Sequence, residues 1–312
     1  MMSVIVNRNF FYFFILISVL NIQIASAETL NFEVNERKFG KSEVLVELIF
    51  PSKVDEKKSP LIITQHGSTL DAKLTGSKVR TDEYSKRLLE KGLQAGFAVA
   101  VVDAFYTHDI SPGEKHRQPW AADYASAIAK ALSKDDRLDA ANFFYSGFSY
   151  GGGHAHYLYE NLNFSADHSW AGIVAAEPSC NAFFVPKKYE TPILTLKGGE
   201  SHYEPRPCEI FTDLYVKKGN NATLVVYPKS NHYFSHNGKI TKGMAFNGCG
   251  ENPVIMETYE VWNFLDGEKA DRKKAVKRCI TDIAGSGRTR EDLNKAITVT
   301  IKFFLSNLKM LP

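Results

Sequence analysis

One heptapeptide constrains the fold of this 312-residue chain more than any other feature. Gly147-Phe148-Ser149-Tyr150-Gly151-Gly152-Gly153 follows an apolar stretch, Asn142 to Ser146, and leads into a helical stretch, Gly152 to Asn161. A chain passing from strand to helix in so few residues turns sharply at the serine. Side chains at the flanking positions would clash there, so glycines occupy them. The same alternation recurs on either side. Val44 to Phe50, Leu61 to Gln65, Gly172 to Ala176, Pro192 to Leu196 and Thr223 to Tyr227 read as strands. Ala98 to Asp103 is a near-continuous apolar run, as expected of a strand covered on both faces. Tyr84 to Ala95, Tyr124 to Leu132 and Thr289 to Leu308 read as helices, the last with Thr289 as N-cap and Glu291 and Asp292 in its first turn. Strands alternating with helices predict an α/β fold with a mostly parallel central sheet flanked by helices on both faces.

The N-terminus predicts a removable leader. Arg8 precedes an apolar run from Phe10 to Leu20, and the stretch ends on Ala25-Ser26-Ala27. A cationic start, a short apolar run and a small-x-small site make a secretory signal peptide, cleaved after Ala27. The run is shorter than the roughly 20 apolar residues that span a bilayer. The expected mature chain, 28–312, is a single α/β domain, secreted or periplasmic, with no stable membrane insertion. A formal net charge of +3 without a dense basic stripe argues against a nucleic-acid partner. Four cysteines, Cys180, Cys208, Cys249 and Cys279, are an even count in an exported chain, which favours disulfides; three pairings are possible. None lies in a C-x-x-C pair, so a structural zinc site is not expected. Phe234 to Gly287 breaks the strand–helix rhythm and reads as an insertion, at about 234–287, before the last helix. Cys249 and Cys279 both fall within it, and a bond between them would pin it.

A serine at a strand–turn–helix junction stands in the context of the nucleophile elbow of α/β hydrolases. That resemblance implies the order serine, acid, histidine, with the histidine after the last strand. Ser149 needs a base to take its proton. His232 follows the Thr223–Tyr227 strand through Lys229-Ser230-Asn231; His236 is the runner-up, and His202 stands too early. The acid is expected in the turn after Pro192 to Leu196, which holds no aspartate. Glu200 comes soonest there, with Glu204 and, one strand earlier, Glu177 as alternatives. Two N–H donors are needed for the oxyanion: Tyr150, next to the nucleophile, and Ser68, in the loop His66-Gly67-Ser68-Thr69. His66 itself is expected to support that loop. His154 and His156 lie two apart on a helix, face different ways and make a poor metal pair. Phe105, Tyr106, Tyr150 and Trp120 could line an acyl pocket, although aromatic residues near strand ends are more often core.

The His-Gly-Ser loop, Val101 to Phe105, the GFSYGG run and Tyr227-Pro228 before Asn231-His232 together resemble the dienelactone hydrolase-like branch of the α/β hydrolases, from about Leu61 to His232. The resemblance implies a Cys180–Cys208 disulfide, because members carry one cysteine after Glu-Pro or Tyr-Pro and another after the acid turn. Aligning on Cys208 puts Glu200 at the family's acid position, where aspartate is usual. The namesake enzyme uses a cysteine nucleophile where this chain has Ser149, so its lactone substrate is not carried over. The expected activity is hydrolysis of a small-molecule or polymeric ester through an acyl-enzyme, without metal or cofactor. A secreted serine peptidase or amidase with the same triad is the first rival. A catalytically silent hydrolase-fold binding protein is the second.

Overall fold

A computed structural model describes residues 27–52, 58–107, 110, 117–160, 162–236, 248–258, 260–281 and 289–309. The expected leader, apart from Ala27, lies outside the described residues. The chain begins with strands β1 (Ala27–Glu36), β2 (Gly40–Ile49) and β3 (Ser59–Gln65), then the two-residue β4 (Ala72–Lys73) and β5 (Arg80–Thr81). Helix α1 (Glu83–Gln94), β6 (Ala98–Asp103), α2 (Ala121–Leu132), β7 (Leu138–Phe148) and α3 (Tyr150–Tyr157) follow. Then come β8 (Gly172–Ala176), β9 (Ala182–Phe184), β10 (Ile193–Gly198), α4 (Arg206–Lys217) and β11 (Ala222–Tyr227). The last part holds β12 (Val254–Met256), β13 (Trp262–Phe264), β14 (Lys269–Ala270), α5 (Arg272–Cys279) and α6 (Leu293–Ser306).

Eight strands form one sheet in the order β1-β2-β6-β3-β7-β8-β10-β11. The first three are joined antiparallel, and every pairing from β6 to β11 is parallel. Successive side chains of a strand point to opposite faces, and both faces here are buried. Ile63, Val102 and Tyr145 pack with Ile128 of α2, Ala155 of α3 and Phe211 of α4. Ile62, Val101 and Phe144 face the other way, onto Leu88 of α1 and Ile301 and Phe304 of α6. Fully burying side chains of this size contributes about 2 kcal/mol each. This is the mostly parallel, doubly covered α/β architecture expected from the alternation of strands and helices.

Three features depart from the sequence reading. Helix α4 was not expected, although Cys208, Phe211 and Tyr215 recur at helical spacing and are all buried. Thr289 does not cap α6. The helix starts at Leu293 with Asp292 at the N-cap, and the Thr289 hydroxyl donates to Glu291 instead. The third lies within the span expected as an irregular insertion, where β12, β13 and β14 pair with β9 in a four-stranded sheet. Phe184, Val254, Met256 and Phe264 give that sheet a small core of its own, closed by the Cys249–Cys279 disulfide. So small a core depends on its cross-link. Replacing both cysteines by alanine is expected to cost about 3.5 kcal/mol on the loop-entropy account. Chemical denaturation would measure the loss, and limited proteolysis should find new cleavage between Val254 and Cys279.

Candidate active site

The turn at Ser149 follows from close backbone approach. Ser149 has φ 52° and ψ −104°, a conformation that costs a non-glycine residue of order 1–3 kcal/mol. A Cβ on Gly147 would lie 2.2 Å from the Gly151 carbonyl, and one on Gly151 would lie 2.5 Å from the Gln65 carbonyl. Only glycine fits at either position, which is why the serine is bracketed by them. The Ser149 N–H donates to Ala176 O at 2.8 Å, tying the elbow to the end of β8.

Ser149 Oγ lies 2.8 Å from His232 Nε2, and His232 Nδ1 lies 3.0 Å from Glu177 Oε2. A carboxylate only accepts, so Nδ1 carries the imidazole proton and Nε2 is left to accept from the serine. His232 sits after β11, as its sequence position suggests. The carboxylate beside it is Glu177, not Glu200. Glu200 is exposed, and its backbone N–H is spent on Ser230 O at 2.8 Å. Glu177 directly follows β8, which pairs with β7, and its N–H donates to Leu196 O at 2.8 Å, with φ 52°. The Cys180–Cys208 disulfide braces this segment to the first turn of α4.

The strand end that was expected to supply the acid supplies a cation instead. Lys197 of β10 is fully buried, and its Nζ lies 2.8 Å from Glu177 Oε2. The same oxygen accepts from Ser201 Oγ at 2.7 Å, and Glu177 Oε1 accepts from the Gly198 N–H. Burial would raise the Glu177 carboxyl, but Lys197 and His232 outweigh it and bring it down to about 2. Burial pulls the Lys197 ammonium down, and Glu177 opposes that shift. Sequence reasoning missed Lys197. Its signal was a lysine inside an otherwise apolar, fully covered strand, where a charge persists only with a partner.

The loop after β3 is held from two sides. His66 Nε2 accepts from the Ala104 N–H at 3.1 Å, so Nδ1 carries the proton and donates to Gly67 O at 2.6 Å. Burial lowers the His66 pKa, which keeps the ring neutral in this role. The Gly67 N–H donates to Asp82 Oδ2 at 2.5 Å, while Asp82 Oδ1 caps α1 through the Ser85 N–H. Burial raises the Asp82 carboxyl to about 6. Among the described residues, the N–H groups of Ser68 and Tyr150 have no protein acceptor. Ser68 and Ser149 together line two cavities.

The other singled-out residues lie apart from the Ser149–His232–Glu177 series or around it. His236 Nε2 pairs with Asp292 at 2.5 Å, holding the start of α6. His202 stands with its ring centroid 4.4 Å from that of His232, closer than its early place in the chain suggested. Phe105 is core, packed edge-on to His66, and Tyr106 is exposed, whereas Trp120 and Tyr150 line a groove. His156 stacks on Phe211 at 4.2 Å. Among the described residues no three His, Cys, Asp or Glu side chains are grouped as a metal would require, and no helix is long and apolar enough to cross a membrane.

No protein-family model and no curated protein matches the chain. Solved structures of hydrolases are similar in fold at low identity. A protein from Klebsiella pneumoniae described as a candidate dienelactone hydrolase is 14% identical, with TM-score 0.47, over 67% of this chain and 88% of its own. An esterase from Pyrococcus furiosus has TM-score 0.47 and 14% identity over 66% of this chain and 84% of its own. The acylaminoacyl peptidase of Pyrococcus horikoshii has TM-score 0.48 and 13% identity over 66% of this chain but only 38% of its own.

Proposed function

We propose that the chain is an exported serine hydrolase that cleaves carboxylic esters through an acyl-enzyme. Ser149 is the nucleophile, His232 the general base and Glu177 the acid that orients it. The observation that carries this reading is the unbroken series Ser149 Oγ, His232 Nε2, His232 Nδ1 and Glu177 Oε2, with separations of 2.8 and 3.0 Å. As Oγ attacks the ester carbonyl, His232 takes its proton, and the Ser68 and Tyr150 N–H groups receive the oxyanion. His232 then hands the proton to the leaving alcohol oxygen. Water, deprotonated by the same ring, releases the acid and restores the serine. The Cys180–Cys208 and Cys249–Cys279 disulfides suit an oxidising compartment, in keeping with a leader cleaved after Ala27.

The test is labelling of residues 28–312 with a fluorophosphonate probe, followed by an ester screen. Wild type should label, folded Ser149→Ala should not, and His232→Ala should label at least about a thousandfold more slowly. A well-folded wild type that does not label would remove the hydrolase reading.

A further inference from the structure

Ser149 stands where two cavities of similar size meet, and they differ in their lining. One, of 150 Å³, is lined by Ser149 and His232. The other, of 180 Å³, is lined by Ser149, Ser68 and Tyr150 but not by His232. It shares Gln118, Tyr150, His154 and Tyr157 with a groove of 1230 Å³, so the three spaces form one path past the serine. Because His232 must reach the leaving oxygen, the leaving alcohol belongs in the small cavity beside it. The acyl part then runs the other way, into the groove.

The groove is built for an occupant with both apolar and polar parts. Its inner wall is an aromatic box around His154, whose ring meets Trp120, Tyr150 and Tyr157 edge-on with centroids 4.7, 4.9 and 5.4 Å away. His154 is only 7% exposed, and its buried Nδ1 has no hydrogen-bond partner. Burial, aided by Arg37 and Lys38, lowers its pKa to about 3, so the ring that lines the groove is neutral. An unpaired polar atom in such a place costs about 1–3 kcal/mol unless a ligand or water answers it. The outer wall comes from the small sheet through Trp262 and from α5 through Arg272.

Three carboxylates and three cations line the groove, but among the described residues Lys38 and Arg272 at that outer end form no ion pair. The three carboxylates that line it are already engaged. Glu33 pairs with Lys41, Asp123 with Arg37, and Glu36 accepts from the N–H groups of Lys38, Phe39 and Trp120. Lys38 and Arg272 are both exposed. Lys38 donates to the Gln118 carbonyl, and Arg272 has no carboxylate partner among the described residues. Burial lowers the Lys38 pKa and nearby Arg272 adds to that shift, while Glu36 opposes it.

The geometry points to an acyl-side subsite for elongated esters whose acid portion ends in a carboxylate or similar anion, esterified to a small alcohol. This rests on the serine hydrolase reading above. The chain lies along the aromatic box, and the terminal anion meets Lys38 and Arg272.

The test compares kcat/KM, read as methanol release, for monomethyl esters of adipic, suberic and sebacic acids with methyl esters of hexanoic, octanoic and decanoic acids. Wild type should prefer the anionic tail by about tenfold at the length that spans the groove, and the preference should shrink with added salt. Lys38→Glu/Arg272→Glu should abolish or invert that ratio. A fluorophosphonate-reactive wild type that favours neutral tails at every length, or a ratio unmoved by charge reversal, overturns the subsite and leaves the hydrolase reading standing. A folded wild type that does not react with the probe removes both.

Discussion

Glu177→Gln is expected to lower kcat for ester hydrolysis by about 10⁴-fold, while Glu200→Gln stays within about twofold of wild type. The amide carries no negative charge to offer His232, and whichever way it is turned its NH₂ group faces an N–H donor, at Gly198 or at His232. It also cannot stabilise the imidazolium that forms when the serine gives up its proton. Glu200 is exposed and makes no contact with His232, so its charge is screened by solvent. The substitution at Glu177 also strips Lys197 of its counter-charge, and breaking a buried pair on one side costs about 3–5 kcal/mol. A loss of activity by unfolding must therefore be separated from a loss of chemistry. Glu177→Gln/Lys197→Met removes both charges and should recover most of the stability while remaining inactive. Circular dichroism, chemical denaturation and steady-state ester kinetics on the set decide the matter. Glu177→Gln with activity within tenfold of wild type, or Glu200→Gln reduced a thousandfold, would move the acid elsewhere.

Lys197→Met alone should destabilise the protein by about 3–5 kcal/mol at neutral pH and displace the acid limb of the kcat/KM profile toward higher pH. In wild type the Glu177 carboxyl is held at about 2, far below its unfolded value. A depressed carboxylate contributes stability above the unfolded pKa, and that contribution is lost as pH falls toward the folded value. Without the lysine, burial acts on Glu177 with less opposition and its pKa rises. The variant can then relieve its uncompensated charge by protonation, so the deficit relative to wild type should be smaller at pH ~4 than at pH ~7. The kinetic shift has the same origin. Lys197 shares one oxygen of Glu177 with His232, at 2.8 and 3.0 Å, and so dilutes the negative charge that the imidazolium feels. Removing it strengthens that attraction, and protonation of the base-histidine then persists to higher pH. Denaturation at two pH values and a pH–rate profile test both parts. A lysine that merely filled space would leave the limb where it is.

How much of this site can be read from the chain depends on how far apart its parts lie. Ser149 and its glycines were legible because their requirement is local: a strand must become a helix within a few residues, and only glycine tolerates the approach of Gly147 to Gly151. His232 was legible because it follows the last strand of a regular alternation. The two-faced burial of the sheet was legible for a similar reason, since runs such as Ala98 to Asp103 have no polar face. The acid was not. Glu177 and Glu200 both follow buried strands, and which carboxylate meets a histidine 55 residues away from Glu177 depends on the lateral order β7-β8-β10-β11 and on which strand end leans over the elbow. The partnership of Glu177 with Lys197 is likewise made between neighbouring strands, so Glu177 taken alone reads as a loop carboxylate and Lys197 drew no notice. The small sheet was hidden for the same reason. Its β9 and β12 pair in parallel across some seventy residues of chain, Ala182 with Val254, and only that closure turns an irregular span into the far wall of the groove. Local backbone geometry is written in neighbouring residues, whereas the meeting of distant charges and walls is settled by strand order and packing.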